Sequence, residues 1–226
     1  MVFVAAGQHE RRWFGVAWEG ECFIATAVGR TFDEALGAIK RYIPDGVELC
    51  EPNELSMFFN RAIVMLGELE DGNEANKEFE LSDDYRSQSM RRILRTASAI
   101  PIGYVSTYGN IARAVGSEAR AVGRAMATNP LYPIVPCHRV VGAGMDLVGY
   151  SGRQDEDALY AKLMRLIAER MGAPSERNLD LFDGLLTIYP VERVINAARE
   201  NREKREREAR IEAERKAAEN LQLRLF

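Results

Sequence analysis

Between residues 11 and 29 aromatic and apolar side chains crowd two short stretches, RRWFGVAWEG and ECFIATAVG, and the polar EGE where they meet is a turn. That pattern predicts a β-hairpin. The period then lengthens. TFDEALGAIKRYI opens on Thr31 with Glu34 three residues on, a capping box ahead of an amphipathic run, and predicts a helix. NELSMFFNRAIVMLGELE predicts a second, with Leu55, Phe58, Phe59, Ala62, Ile63 and Leu66 at helical spacing. GNEANKEFELSDD is polar and marks a boundary, with a short strand expected at KEFEL. Beyond it SQSMRRILRTASAI reads as a helix that stops at Pro101, because the residue before a proline is pushed out of the helical region. PIGYVSTYG is a short connection. YGNIARAVG and SEARAVGRAMATN are two compact helices, capped by Thr107 and Ser117 and joined by a turn at Gly116. Two short helices about a glycine turn form a helix-turn-helix signature. Pro130, Pro133 and Pro136 then predict an extended path up to Cys137.

DEDALYAKLMRLIAERMG predicts one more helix, ending at Gly172. From Ala173 the character changes. LFDGLLTIYPVERVI is apolar enough to pack on something, and NAARENREKREREARIEAERKAAEN is a charged helix. Glu200–Lys204, Glu203–Arg207 and Glu206–Arg210 are acid-before-base pairs four apart, each worth a few tenths of a kcal/mol. No sustained apolar heptad seam accompanies them, so a coiled coil is not expected. The expected architecture is therefore an α/β N-terminal domain (1–81), a mainly α-helical, winged-helix-like helix-turn-helix domain (85–172), and a C-terminal extension (173–226) with a charged helix.

Composition narrows the class. With 46% hydrophobic and 28% charged residues the chain is an ordinary globular protein. No apolar run approaches the length of a membrane span, and MVFVAAGQHERRWF lacks the basic start of a signal peptide, so a cytoplasmic location, or a nuclear one in a eukaryote, is expected. The net charge is −4, yet Arg86, Arg91, Arg92, Arg95, Arg113, Arg120, Arg124 and Arg139 face only Glu118 and Asp146 between residues 86 and 150. A basic middle in an acidic chain is the footprint of a phosphate-binding face. Cys22, Cys50 and Cys137 are too few and too scattered for a disulfide framework, although a Cys22–Cys50 bridge stays open. His9, Cys22 and Cys50 offer metal-binding atoms but no fourth ligand is evident, and neither a metal nor another cofactor is expected.

That leaves the thiol in PIVPCHRVVG. A thiolate is the nucleophile, and a nearby imidazole can take its proton directly or through a water. His138 adjoins Cys137, which alone is weak, since sequence neighbours need not point together. Glu169 on the following helix is placed to orient and charge the imidazole.

The stretches IPIGYVSTYGNIARAVG, EARAVGRAMATNP, PIVPCHRVVG and GYSG, in this order and nearly this spacing, resemble the DNA-binding and active-site domain of the O6-alkylguanine-DNA alkyltransferases, the methylated-DNA–protein-cysteine methyltransferases. The resemblance covers about a third of the chain closely, and its PCHRV core is highly specific. It implies direct reversal of damage: the alkyl group on guanine O6 of a flipped base moves to Cys137, leaving an inert thioether and a spent protein, with no cofactor. It implies that His138 relays the thiol proton through a water, with Glu169 stabilising the imidazolium. Lys162 falls where the family has a matching lysine, Asn129 braces the turn before the active-site loop, and Tyr108 gives its hydroxyl proton to the guanine ring. The carbonyls of Cys137 and Val140 would accept from the guanine amino group. Tyr150, Ser151 and Gly152 would close over the base beside Pro136, with the Ser151 N–H on O6. Arg120 would enter the base stack in place of the extruded nucleotide, with Thr107, Ala119, Ala121, Gly123 and Arg124 at the DNA.

The small-residue helix ARAVGRAMA agrees with that placement. A major-groove reader needs long polar side chains for base edges, whereas small ones allow close approach to a minor groove without sequence readout. The expected partner is thus double-stranded DNA containing O6-alkylguanine, bound by a monomer and independently of sequence; the extension ends on an apolar tip, LQLRLF, open to two readings, docking a protein partner or folding back onto the body. RQDEDALYA, between Gly152 and Lys162, is longer and more acidic than the family's usual glycine-rich link. The ending QLRLF has a partial similarity to sliding-clamp-binding peptides, with a different spacing. Three other readings compete: a non-enzymatic relative that binds alkylated DNA and recruits other repair, a cysteine hydrolase using Cys137 and His138, and a helix-turn-helix regulator with a structural thiol. Non-enzymatic relatives replace the acceptor cysteine, a hydrolase fits the adjacent pair poorly, and the small-residue helix is ill suited to an operator.

Overall fold

The computed structural model describes residues 1–226 apart from 44, 53, 74–79, 83–85, 171, 173–174, 182–183 and 224–226, and the backbone alone for 217–223. Three long strands, β1 (Val2–His9), β2 (Arg12–Glu19) and β3 (Cys22–Gly29), form an antiparallel meander. The sequence reading placed β2 and β3 but not β1, whose short Val, Phe, Ala and Gly side chains gave no strong period. α1 (Phe32–Lys40) follows, its Thr31 hydroxyl accepting from the Glu34 N–H at 3.2 Å. β4 (Leu49–Cys50) adds in parallel to β1, and α2 (Met57–Glu70) starts on a Ser56 cap. β5 (Glu80–Leu81) adds in parallel to β3, giving the order β4-β1-β2-β3-β5. The strand expected at KEFEL is described only in these last two residues; 77–79 lie outside the described ones. Cys22 and Cys50 are free thiols on strands separated by two others, so the open bridge between them is not made.

The sheet is covered on both faces. Phe14, Val16, Trp18 and Phe23 join Phe58, Phe59, Ala62 and Leu66 of α2 in one cluster, while Ala17, Ile24 and Ala25 join Ile39 of α1 in another. Alternate positions along β2 thus point to opposite helices, as a period of two requires. α1 lies almost on the backbone of the sheet: a Cβ at Gly15 would sit 2.5 Å from the Ala35 carbonyl oxygen, and one at Gly29 2.5 Å from the Ala35 nitrogen.

The second half begins with α3 (Gln88–Ser98), which ends as expected ahead of Pro101. The stretch expected to be a plain connection contains a strand, β6 (Tyr104–Thr107), leading into α4 (Tyr108–Val115) and α5 (Ala119–Ala127). Gly116 sits at φ 63°, with Gly116 N–H to Arg113 O at 3.4 Å and Ser117 N–H to Ala112 O at 2.8 Å. That pair of bonds is the Schellman arrangement that ends a helix on a left-handed residue. It commits Ser117 to closing α4, so Ser117 is not the cap expected for α5; Glu118 holds that position without a side-chain bond. Nor is the proline run simply extended. Val135 N–H bonds to Leu131 O at 2.8 Å, the Tyr132–Pro133 peptide is cis, and the chain folds compactly into a 3-10 turn at Cys137–Arg139 and then β7 (Val140–Val141).

α6 (Glu156–Ala168) starts on Asp155, whose carboxylate accepts from the Ala158 N–H at 3.1 Å. The C-terminal extension opens with a hairpin, β8 (Arg177–Leu181) and β9 (Gly184–Pro190), which joins β6 to make the sheet β7-β6-β9-β8. α7 (Val191–Leu223) is the charged helix. Four of its ion pairs run base before acid, Arg199–Glu203, Arg202–Glu206, Lys204–Glu208 and Arg210–Glu214, the reverse of those expected, while Glu212 pairs with Arg215 and Lys216 after it. Glu203 and Glu206 have arginines both four before and four after, and each carboxylate takes the earlier one.

One core runs through both halves, from Phe14 to Ile188. They are also pinned by polar bonds. Thr26 N–H donates to Pro130 O and its hydroxyl to Tyr132 O, both at 2.8 Å; Tyr132 Oη donates to Glu70 Oε2 at 2.6 Å; Arg165 pairs with the other oxygen of Glu70. Glu70→Ala strands a tyrosine hydroxyl and a guanidinium that are both largely buried, and is expected to lose about 2–4 kcal/mol in urea unfolding, whereas Glu70→Gln is expected to lose less, its amide oxygen accepting from Arg165 and its amide nitrogen donating to the Tyr132 hydroxyl.

Candidate active site and nucleic-acid interface

Cys137 starts the 3-10 turn and is buried. Asn129 fixes the approach to it: its Nδ2 donates to Val135 O at 2.7 Å and its Oδ1 accepts from Leu131 N–H at 3.0 Å, so one side chain spans the loop at both ends. Behind the thiol lies a charged cluster. His138 Nε2 is 2.7 Å from Glu169 Oε1, Arg139 Nε donates to Oε2 at 2.8 Å, and an Arg139 terminal nitrogen donates to Oε1 at 2.8 Å. The remaining Arg139 nitrogen donates to Ile100 O at 2.8 Å. Both carboxylate oxygens thus accept, Oε1 twice and Oε2 once, and the other imidazole nitrogen, Nδ1, is buried without a partner among the described residues. Arg139, expected on the phosphate-binding face, instead points inward, because the buried Glu169 needs its bidentate fork. Arg86 also turns inward, onto Ile24 O.

Lys162 is fully buried, its ammonium donating to Val140 O at 2.6 Å and Gly149 O at 3.0 Å and lying 5.8 Å from the Tyr108 ring centroid. One lysine thereby ties the strand after the thiol to the loop that closes the cleft. Pro136 and Val140 are buried in this layer rather than on the cleft wall. The Cys137 and Val140 carbonyls already accept, from Val140 N–H and from Lys162, leaving each one lone pair for a further donor.

In front of the thiol is a cleft of about 350 Å³. Its walls are Tyr108, then Ala119, Arg120, Gly123, Met126 and Ala127 of α5, then Val148 to Gln154. It therefore brings together Tyr108, Ala119, Arg120, Gly123, Cys137, Tyr150, Ser151 and Gly152 of the residues named from sequence; Met126, Ala127 and Val148 were not anticipated, being apolar positions with no chemical signal. Tyr150 and Arg153 exchange backbone bonds at 2.9 Å about Ser151 (φ 50°) and Gly152 (φ 74°), a tight two-residue turn with both central residues left-handed. The acidic link after it serves locally: Asp155 pairs with Arg153 at 2.8 Å and caps α6. Arg120 and Arg124 are exposed, and Ala121 is half-buried. Thr107 is buried, with its hydroxyl committed to the Asn110 N–H at 3.1 Å, so it shapes the start of α4 and does not reach a ligand surface. A second cavity, about 310 Å³, reaches Cys137 from the first domain between Thr26, Arg41, Tyr42, Glu70 and Arg165.

Burial sets the protonation states. It pushes the Cys137 thiol up, against the opposing pull of the Asn129 amide and the Lys162 and Arg165 charges, so the resting group is the thiol. It pushes His138 down, against Glu169, so the resting imidazole is neutral. Burial holds Tyr108 at about 12 and Tyr150 at about 12, keeping both as hydroxyl donors. Lys162 falls to about 8 by burial, with the thiol's charge opposing. Burial would raise Glu169, but His138 and Arg139 outweigh it and hold the carboxyl at about 2. Among the described residues the cluster of metal-ligating type is His9, Glu10 and Asp71, far along the chain from the thiol and with Asp71 already paired to Arg12. Cys22 and Cys50 are not part of it.

A buried thiol thus lies at the back of a cleft, with the start of the second helix of a helix-turn-helix on the rim. Comparison with known proteins places a likeness on this half of the chain. Residues 88–171 match the family described as 6-O-methylguanine DNA methyltransferase, DNA-binding domain. A curated relative from Mycolicibacterium paratuberculosis, named methylated-DNA–protein-cysteine methyltransferase, is 42% identical over 109 residues, 47% of this chain. The chain spans 62% of that relative's length. Among solved structures, Mycobacterium tuberculosis O6-methylguanine methyltransferase is similar with a TM-score of 0.53 and 28% identity, over 77% of this chain and 96% of that one. The Mycobacterium tuberculosis OGT in complex with DNA gives a TM-score of 0.55 and 25% identity over 74% and 92%.

Because Glu169 is held well below its ordinary value of 4.5, its clamp stabilises the fold fully above about pH 5 and loses that contribution as pH falls toward 2. In urea unfolding at successive pH values, the stability gap between the wild type and Glu169→Gln is expected to be on the order of 3 kcal/mol at pH 7 and to shrink steadily below pH 5.

Proposed function

We propose that the protein reverses alkylation damage in DNA by moving the alkyl group of O6-alkylguanine onto Cys137, once per molecule. The observation that carries this is the position of the buried thiol: at the back of a base-sized cleft, backed by the His138–Glu169–Arg139 cluster and rimmed by the exposed Arg120. The names of the relatives and the DNA complex of a structural neighbour support it. The helix-turn-helix and the sheet beside it act as a winged-helix-like unit on double-stranded DNA, with α5 in the minor groove. Its outward surface is Ala119, Arg120, Gly123, Arg124 and Ala127, short enough for close approach and without the side chains that read base edges. Arg120 fills the stack when the damaged nucleotide turns out into the cleft. Unstacking costs a few kcal/mol, least for a weakened pair, and a guanidinium that stacks in the gap offsets part of it.

The chemistry is one displacement. The neutral imidazole of His138 takes the Cys137 proton through a water at Nδ1, and Glu169 stabilises the imidazolium on the opposite nitrogen. Sulfur forms a bond to the alkyl carbon as its bond to O6 breaks, and the electron pair passes to the guanine. Tyr108 meets the developing charge with its hydroxyl proton, and the proton from the thiol replaces it, so the sum is thiol plus O6-alkylguanine to thioether plus guanine. Burial also keeps the thiol protonated at rest, which suits a reagent that can be used only once.

Intact mass after mixing with an equimolar duplex holding one O6-methylguanine is expected to rise by one methyl in the wild type and not at all in Cys137→Ser. Lesion-selective binding without mass gain would instead favour a recruitment protein. Tyr108→Phe is expected to slow transfer about a hundredfold while leaving DNA affinity within a few-fold. Arg120→Ala is expected to slow transfer from a paired lesion more than from a single-stranded one. Because burial depresses His138, its basic form persists below the ordinary 6.5, and the single-turnover rate is expected to stay level from pH 8 to 6.5 and to fall only in more acid solution.

A further inference from the structure

Two spaces meet at the thiol. Cys137, Met126, Ala127 and Ser151 border both the cleft in front of it and the cavity of about 310 Å³ that opens toward the first domain. The partition between them is thin. A Cβ at Gly152 would lie 3.4 Å from the Ala127 carbonyl oxygen, so the end of α5 and the left-handed turn that border both spaces are in contact. Small-molecule sites begin at roughly 300 Å³, so the second cavity is large enough to hold a ligand group. Transfer of a methyl group makes no use of it.

The cavity's lining is unbalanced in its hydrogen bonding. The acceptors are taken: Glu70 Oε2 accepts from Tyr132 at 2.6 Å and its Oε1 from Arg165, and the Asn129 amide is spent within its own loop. The donors are not. Arg41, at the C-terminal end of α1, makes no side-chain hydrogen bond or ion pair among the described residues. Arg165 gives one terminal nitrogen to Glu70 and lies 5.2 Å from the Tyr132 ring centroid, with its other N–H groups unused among the described residues. Two guanidiniums against one carboxylate leave the cavity positive, and that carboxylate is already covered. The lining lacks an anion with acceptor oxygens, and the planar fork of a guanidinium matches a carboxylate.

In a displacement the incoming sulfur, the carbon and the departing oxygen lie in line. With guanine in the cleft, whatever else is attached to that carbon has to leave the line sideways, into space beside the sulfur. The second cavity is such a space. We propose that it receives the far end of O6-alkyl groups that terminate in a carboxylate, and that Arg41 of the first domain is the residue that selects them. This rests on the transfer reaction and adds the class of adduct that the reaction favours. The balance is that of the methyl case: the sulfur–carbon bond forms as the carbon–O6 bond breaks, the electron pair passes to the guanine, and the thiol proton replaces the alkyl group there. The carboxylate stays ionised against Arg41 throughout. A side chain of α1 thereby sets a substrate preference without touching the base.

The test follows single-turnover transfer, read as mass gain, from duplexes holding O6-methylguanine, O6-butylguanine or O6-(3-carboxypropyl)guanine to the full chain, Arg41→Ala and Arg41→Glu. The wild type is expected to take the acidic adduct about tenfold faster than the neutral one of equal length, Arg41→Ala to bring the two rates within about twofold, and Arg41→Glu to reverse their order, with methyl transfer unchanged in all three. An acid-to-neutral ratio in Arg41→Glu equal to that of the wild type, or a wild type that prefers the butyl adduct, overturns the inference. A second arm does not depend on the DNA reaction. Cys137 is alkylated with iodoacetate or iodoacetamide, sulfur displacing iodide and the thiol proton passing to buffer, with the half-buried Cys50 as internal reference. The iodoacetate-to-iodoacetamide ratio is expected to be about tenfold higher at Cys137 than at Cys50 and to fall in Arg41→Ala. Absence of methyl transfer in every protein would overturn the reaction itself, and this ratio then decides the cavity: equal ratios at the two thiols overturn it.

Discussion

Glu169 is a carboxylate taken out of water at the end of α6, and the second half of the molecule is arranged around its needs. A buried charge of this kind is tolerated only when every lone pair is met. His138 and Arg139, adjacent in sequence, meet them from the 3-10 turn, and a third nitrogen of Arg139 reaches on to the carbonyl of Ile100 at the end of α3. One carboxylate therefore fixes α6, the turn and α3 relative to each other. Because the turn begins at Cys137, the same bonds set the thiol's position. The neutral imidazole is a consequence as well: burial drives His138 to give up its charge, and the arginine satisfies the carboxylate while it does so. Desolvation thus leaves a neutral imidazole and a neutral thiol side by side, with a carboxylate already in place on the imidazole.

Lys162 does for the cleft what Glu169 does for the turn. A fully buried ammonium held on two carbonyls binds β7 to the loop at Gly149. Past that anchor the loop runs into the left-handed pair Ser151 and Gly152, so the cleft is closed by backbone geometry rather than by a large side chain. The opposite wall, α5, contributes small residues. Such a cleft is stiff at the back, where two buried charges hold it, and smooth at the mouth, where α5 offers small residues. The charges that face solvent there, Arg120 and Arg124, are those left after Arg139 and Arg86 have been drawn into the fold.

What the sequence disclosed follows the range of each interaction. Helix starts were legible because caps are local: Thr31, Thr107 and the stop before Pro101 all lie within four residues of what they control. The pairing of Glu169 with His138 was named on resemblance and is present as geometry. Arg139 was misread as a surface charge because nothing in PCHRV says which of its polar residues turns inward; that depends on a carboxylate thirty residues away. β1 was missed because its run of small residues has a weak period, and β6 because four residues are too few to show one; both are defined by their neighbours in the sheet. The hairpin of β8 and β9 was seen only as an apolar stretch, since its partner, β6, was itself unrecognised.

The first domain has no side chain in the cleft, yet it is not a passenger. Thr26 in β3 holds the carbonyls of Pro130 and Tyr132, and Glu70 at the end of α2 holds the Tyr132 hydroxyl and Arg165. These contacts fall on the segment that Asn129 braces between α5 and the thiol, and on α6 one turn before Glu169. The loop carrying the nucleophile is thus gripped from two sides: by its own domain through Asn129 and Glu169, and by the first domain through Thr26 and Glu70. A loop of three prolines has few backbone donors with which to hold itself, so it depends on donors and acceptors brought from elsewhere. That requirement gives an α/β domain with no reactive group of its own a physical reason to be packed against this one, and it explains why the two halves share a core instead of meeting across a flexible linker.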